Sequence, residues 1–363
     1  MKIERMAPLG RRAFLAALGS GAGAAAMTGA SLAASAQAAG AENSDGKGVA
    51  PLKIIDFHNH YVGPAFRLTT LNGAPPALRS YWEGVNRNLA DPGALMASIE
   101  EGATAARVIN TPTAFLEDAD GNVPPGTVER INDQIAELVR RHPGRLYGLA
   151  TVDAYSGEAG ARELTRAVRE LGLRGVFVES AKRDLLPDAP QARPTLAAAA
   201  ALGVPVFIHP VTDSALHQRF VRYGRQGVRL ARATINSAAL VALLERGIFD
   251  ELPNLRVVVT TLALGGILLA GGFGDGSRLR HDTPESKRRH VYVDTMGIHP
   301  VLVRAAVDLL GADHVLVGTD WPIAVETSVQ ERVQAALTAC GLDASQRQMV
   351  ASGNVLRLLG AAG

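Results

Sequence analysis

Eight short apolar runs, rich in β-branched residues, recur along this chain with stretches of helical pattern between them. They lie at 54–60, 106–111, 146–152, 175–179, 204–210, 255–261, 291–294 and 315–320. Parallel neighbours in a sheet need a crossover of a dozen or more residues, usually a helix. Intervening segments supply it at 91–102, 128–141, 158–171, 194–202 and 238–249, and helical segments at 329–338 and 346–359 close the chain. In the segment 128–141, Ile131, Ile135, Leu138 and Val139 form an apolar stripe at helical spacing, and His142-Pro143-Gly144 ends it. Eight apolar strands alternating with helices predict one α/β domain, a closed (β/α)8 TIM barrel over residues 52–363. No Gly-x-Gly-x-x-Gly follows any run, which argues against a dinucleotide-binding sheet.

Residues 1–40 stand apart from that pattern. Arg11-Arg12-Ala13-Phe14-Leu15 resembles a twin-arginine export motif, and an uncharged Ala/Gly-rich run follows it. Ala34-Ser35-Ala36 and Ala36-Gln37-Ala38 both suit a signal peptidase. The run is long enough to span a membrane, but its Ala, Gly and Ser make it weakly hydrophobic, so cleavage is expected over anchoring. Residues 41–51 read as a polar linker. The sequence thus predicts the twin-arginine export machinery as a partner and a periplasmic or secreted protein. Lys2, Arg5, Arg11 and Arg12 against Glu4 carry +3 of the chain's net +2, which leaves −1 for the rest. A body so near neutrality gives no reason to expect nucleic acid or an anionic membrane. Cys340 is the only cysteine, so no intramolecular disulfide forms.

Chemistry in such a barrel sits where all eight strands end. The first run ends in Asp56-Phe57-His58-Asn59-His60, and strand alternation predicts that Asp56, His58 and His60 share a face. The fifth ends in His209 and the eighth in Asp320. Three imidazoles and one carboxylate suit zinc, or manganese or iron, with room for a water. Each has a plainer reading alone: a surface His pair, a strand cap before Pro210, an N-cap before Trp321-Pro322. Four at strand ends together favour one divalent metal.

These segments resemble a known family. Asp56-x-His58-x-His60, the 204–210 run and Val317-Gly318-Thr319-Asp320-Trp321-Pro322 are similar to the amidohydrolase superfamily, and within it to the aminocarboxymuconate-semialdehyde decarboxylase-like branch. Gly353-Asn354-Val355-Leu356-Arg357-Leu358-Leu359-Gly360 resembles that branch's C-terminal signature. The resemblance spans about residues 52 to 360. It implies one metal, usually zinc, on His58, His60, His209 and Asp320, and nonoxidative decarboxylation, lactone hydrolysis or hydration of small unsaturated carboxylates. The branch commonly ends its sixth strand in a His, the usual acid/base; here Val257-Val258-Val259-Thr260-Thr261-Leu262-Ala263 has none.

Three replacements for that acid/base present themselves. His299, just past the seventh strand, comes first; Glu179, ending the fourth, comes second; Asp320 could itself take protons. Arg67 could clamp a substrate carboxylate, and Asn110 and Trp321 could line the pocket. Each of these three also fits a plain role in solvent, turn or core. His142, His217, His281, His290 and His314 read as surface residues. The leading expectation is a decarboxylase of a small aromatic or unsaturated carboxylate. A hydrolase of a lactone, ester or amide is the alternative, and a metal-carrying binding protein without turnover the third. The sequence leaves a homodimer open.

Overall fold

The computed structural model describes residues 51–64, 76–118, 122–272, 290–324 and 328–361. The export segment, its linker, Arg67 and His281 lie outside the described residues. Nine parallel strand segments succeed one another: β1 Ile55–His60, β2 Ala106–Asn110, β3 Leu146–Gly148, β4 Ala150–Thr151, β5 Val176–Glu179, β6 Val206–His209, β7 Val257–Thr260, β8 Val291–Asp294 and β9 Val315–Leu316. Each pairs with the next in parallel, save between β3 and β4. The segments β3 and β4 are one stave. Leu149 alone separates them; its N–H bonds to Ile109 while the next residue's N–H bonds to Gly175, so the stave changes neighbour there.

Eight staves close into a ring. The chain running on from β9 pairs with β1: Phe57 N donates to Val317 O at 2.8 Å, Asp320 N to His58 O at 2.9 Å and His60 N to Trp321 O at 2.8 Å. Asn59 and Trp321 form a parallel bridge. Closure removes both edges of this sheet, and among the described residues no strand is left unpaired. The expected TIM barrel is the fold observed.

Alternation along the strands sorts the core into two layers. Ile55, Phe57, Ala106, Val108, Leu149, Phe177, Phe207, Val258, Tyr292 and Leu316 form one buried cluster inside the ring. Val355, Leu358 and Leu359 join it beside the first residues of the strands, closing the bottom. Their neighbours in sequence, such as Val176, Val178, Val206 and Ile208, face outward and pack with the helices.

Strand β1 departs from this rule. Asp56 lies opposite Arg107, but Asn59 lies opposite Ile109, so three steps on β1 match two on β2. One extra residue in a strand is a bulge, and it flips the parity of every residue beyond it. Ile55 and Phe57 face inward below the bulge, and His58 and His60 reach the mouth above it. The expected shared face of Asp56 with the histidines is therefore corrected: Asp56 points the other way, to Arg107, which lies between sheet and helix.

Two histidines read as surface residues are also corrected. His290 and His314 are buried; Nδ1 of each lies within 2.8 Å of a backbone carbonyl, that of Leu255 or Val291, and their rings stack on Phe249 and Tyr292. The helix expected at 238–249 begins earlier, running Gly224–Glu245, and Gly247 at φ 70° separates it from a short helix, Ile248–Glu251.

Candidate metal centre at the barrel mouth

The four strand-end residues converge. One potential ligand atom from each of His58, His60, His209 and Asp320 lies within 4.8 Å of the others. The three rings stand nearly perpendicular to each other, with centroids 5.0–5.3 Å apart. Asp320 reaches them because the chain turns sharply there, at φ 64°, a left-handed conformation rare outside glycine.

Neighbouring side chains fix which imidazole nitrogen faces inward. His58 Nδ1 meets the buried Asp294 carboxylate at 3.0 Å, and His60 Nδ1 meets Asn110 Oδ1 at 2.8 Å. An amide oxygen and a carboxylate accept only, so each Nδ1 carries the proton and each Nε2 offers a lone pair. Those lone pairs both face Asp320 Oδ1, at 3.4 Å from His58 and 3.1 Å from His60. Acceptors crowded together in a buried site repel unless a cation or proton lies among them. His58 Nε2 is buried with no hydrogen-bond partner. The donor set therefore fits one divalent cation, with nitrogen and oxygen ligands of the type zinc and manganese accept.

Electrostatics agree. Burial, the other imidazoles and Arg232 hold His209 well below the usual histidine range, and burial and His58 lower His60 despite Asp320 and Asn110. Burial opposes charge on His58 and on Asp320, but the pull of Asp294 and Asp320 raises the first, and the histidines with Arg232 lower the second. His60 and His209 are thus held neutral and Asp320 ionised, the forms a metal needs, while the carboxylates flanking His58 favour positive charge at its ring, which a bound cation would supply in place of a proton. Gly318 makes the close approach possible: a Cβ there would lie 2.8 Å from His58 Cβ and 3.0 Å from Asp294 Cβ.

Glu179 forms one wall. It ends β5 beside His209, its Oε2 3.8 Å from His209 Nδ1, and its Oε1 accepts from Thr113 Oγ1 at 3.0 Å. Burial pushes its pKa to about 7, with Thr113 opposing and Glu117 adding to the rise. Asn110 orients His60. Trp321 is buried in the closing seam with its ring beneath Arg107, 5.5 Å from the guanidinium. The structure leaves His299 outside the cluster: it is exposed, the residue just before the helix Pro300–Leu310. Where the branch carries its sixth-strand His, Thr260 and Thr261 use their hydroxyls on Asn236 Oδ1 and Met296 O, each at 3.0 Å.

Two residues were missed by reading the sequence. Asp294 obeys the same strand-end rule as Glu179, and applying it to the seventh strand would have found it. Arg232 lies on the buried row Val228, Arg232, Asn236, Leu240 of the helix Gly224–Glu245. Asn236 ties that row to Ile208 O at 3.0 Å and to Thr260. Helices of this barrel run against the strands, so Arg232, a turn earlier, sits nearer the mouth. Its charge acts on Asp320, Glu179 and His209. A polar residue repeating every fourth position within an apolar stripe was the available signal.

Barrels that gather such ligands at the mouth are metal-dependent enzymes. This chain belongs to the amidohydrolase family, whose model matches residues 55–361. It is 24% identical over 289 residues to the 2-amino-3-carboxymuconate-6-semialdehyde decarboxylase of Dictyostelium discoideum, covering 77% of this chain and 79% of that one. It is 28% identical over 235 residues to the gamma-resorcylate decarboxylase of Polaromonas sp. strain JS666, covering 59% and 71%. Its fold resembles the 5-carboxyvanillate decarboxylase of Novosphingobium aromaticivorans, solved with manganese and 4-hydroxy-3-methoxy-5-nitrobenzoic acid, with a TM-score of 0.69 at 19% identity over 85% of this chain and 96% of that one.

Replacing Asp294 with Ala frees His58 Nδ1 and is expected to weaken Mn2+ or Zn2+ binding by about 10- to 100-fold. Competition titration against a chelating dye measures this; unchanged affinity would remove Asp294 from the site.

Proposed function

We propose that this chain is a divalent-metal-dependent nonoxidative decarboxylase of a small aromatic or unsaturated carboxylate. The convergence of three strand-end imidazoles and Asp320 within 4.8 Å carries the reading, and the decarboxylases it resembles carry out that kind of reaction on their own substrates. The donor chemistry favours zinc, and the manganese of the Novosphingobium structure keeps that ion as the other choice. When bound, the cation supplies a Lewis acid that stabilises negative charge on the substrate.

The chain's own residues do the rest. Arg232, buried at 8% exposure, seats an anionic group of the substrate by charge-assisted hydrogen bonds. The bond between ring or vinyl carbon and carboxylate breaks, CO2 leaves, and the electron pair stays on carbon. Glu179, in its protonated form, gives that carbon a proton and regains one from solvent. It fills the place left by the absent sixth-strand imidazole, since burial keeps part of its population protonated near neutrality. His58, His60, His209 and Asp320 hold the cation, and Asn110 keeps His60 aimed. The Arg11-Arg12 motif supports export to the periplasm or beyond, which would place the substrate outside the cytoplasm.

The test is CO2 release against acid release over a panel of hydroxybenzoates, muconate-type acids and lactones, with enzyme loaded with Zn2+ or Mn2+. CO2 evolved only by metal-loaded protein, lost on chelation and restored on reloading, is the expected result. Acid released from lactones without CO2 would make it a hydrolase. For the best acid found, Arg232→Gln is expected to raise KM by about 10-fold or more, the scale of a lost charge-assisted bond; an unchanged KM would free Arg232 of that role.

A further inference from the structure

The bulge in β1 decides whether His58 and His60 reach the mouth, and a buried guanidinium sits directly behind it. Arg107, on β2 and 1% exposed, is the largest fully buried side chain described. Its Nη1 donates to Asp56 Oδ2 and to Asn59 Oδ1, the two residues that bracket the bulge, and lies 3.3 Å from Thr319 Oγ1. Its Nη2 donates to Ser98 O at 3.1 Å on the covering helix Pro92–Glu101.

The partners extend that grip to the backbone. Asn59 Nδ2 donates to Asp56 O at 2.8 Å and to Val108 O at 3.2 Å, satisfying carbonyls on both sides of the irregular pairing. Asp56 Oδ1 accepts from the N–H of His58 at 3.3 Å and of Thr319 at 3.0 Å, and Oδ2 accepts from Thr319 Oγ1 at 2.6 Å. His58 is a ligand, and Thr319 precedes the ligand Asp320. Trp321, which comes after Asp320, lies beneath the same guanidinium.

We propose that Arg107, with Asp56 and Asn59, is a positioning clamp that holds the β1 bulge against the end of the last strand and so sets where His58, His60 and Asp320 meet. None of the three touches the cation or substrate. The clamp acts from behind the sheet, on the backbone N–H of His58 and of Thr319, next to Asp320, and through Asn59, which lies between the two β1 histidines. Full burial of an ion pair is a poor source of stability, because the cost of desolvating both charges offsets most of their attraction. Retention of one here is explained by placement.

The inference rests on the metal reading of the four ligands, and Co2+ binding by the unaltered full-length protein checks that reading separately. Co2+ serves as probe because its visible absorption reports ligand geometry. In Arg107→Met or Asp56→Asn alone, a buried charge loses its partner, so both melting temperature and Co2+ affinity should fall. The double variant Asp56→Asn/Arg107→Met removes both charges. It is expected to recover much of the melting temperature while Co2+ affinity stays about 10-fold or more below the unaltered protein's, with a changed absorption band. Recovery of affinity and band along with stability would overturn the proposal, leaving the pair a packing element. Should the double variant fail to fold, Arg107→Lys decides: it keeps the charge but cannot span Asp56, Asn59 and Ser98 together. A folded Arg107→Lys with weaker Co2+ binding and an altered band supports the clamp; unaltered affinity and band refute it.

Discussion

The seam between the first and last staves is the contact on which this structure depends. Three backbone hydrogen bonds, from Phe57, Asp320 and His60, join the two ends of the chain's barrel into a closed ring. The same bonds place Asp320 beside His58 and His60, although some 260 residues separate them. Closure and ligand convergence are therefore one event. A barrel that failed to close would lose its metal site along with its edge protection. Gly318 lies in the seam because His58 and Asp294 leave no room for a side chain.

Charge is handled differently on the two faces of the sheet. Inside the mouth, three imidazoles and an ionised carboxylate surround a point where positive charge, from a proton or a cation, is favoured. Arg232 and Glu179 stand beside it, one a buried cation and the other a carboxyl that burial pushes to about 7. Such a neighbourhood is costly to bury without function, and perturbed groups collected in one cleft mark a site. Outside the ring, the Arg107–Asp56 pair is fully enclosed and faces helix and strand only. The first set gathers around the metal ligands; the second bonds to the backbone behind them.

Much of this was legible in the sequence because barrels obey simple periodic rules. Alternating strands and helices pointed to the ring, and strand-end histidines supplied three of the four ligands, with Asp320 the fourth. The misreadings have local physical causes. Alternation placed Asp56 with His58 and His60, and a single bulge reversed it. His290 and His314 look like loop residues, yet backbone carbonyls of Leu255 and Val291 accept their protons and aromatic rings cover them. Arg232 lies on a helix, far in sequence from any strand end, and only its place in an apolar row hints at burial. His299 follows the seventh strand as its sequence position suggested, but it precedes the helix Pro300–Leu310 with its ring exposed and is not one of the four clustered side chains.

The central claim is that one cation joins four side chains drawn from three strands. Anomalous diffraction at the metal edge from crystals of the metal-loaded protein measures it directly. A single peak within roughly 2.0–2.3 Å of an imidazole nitrogen from His58, His60 and His209 and of an Asp320 oxygen is the predicted result. A peak bound elsewhere, or one that leaves His209 or Asp320 uncoordinated, would contradict the account.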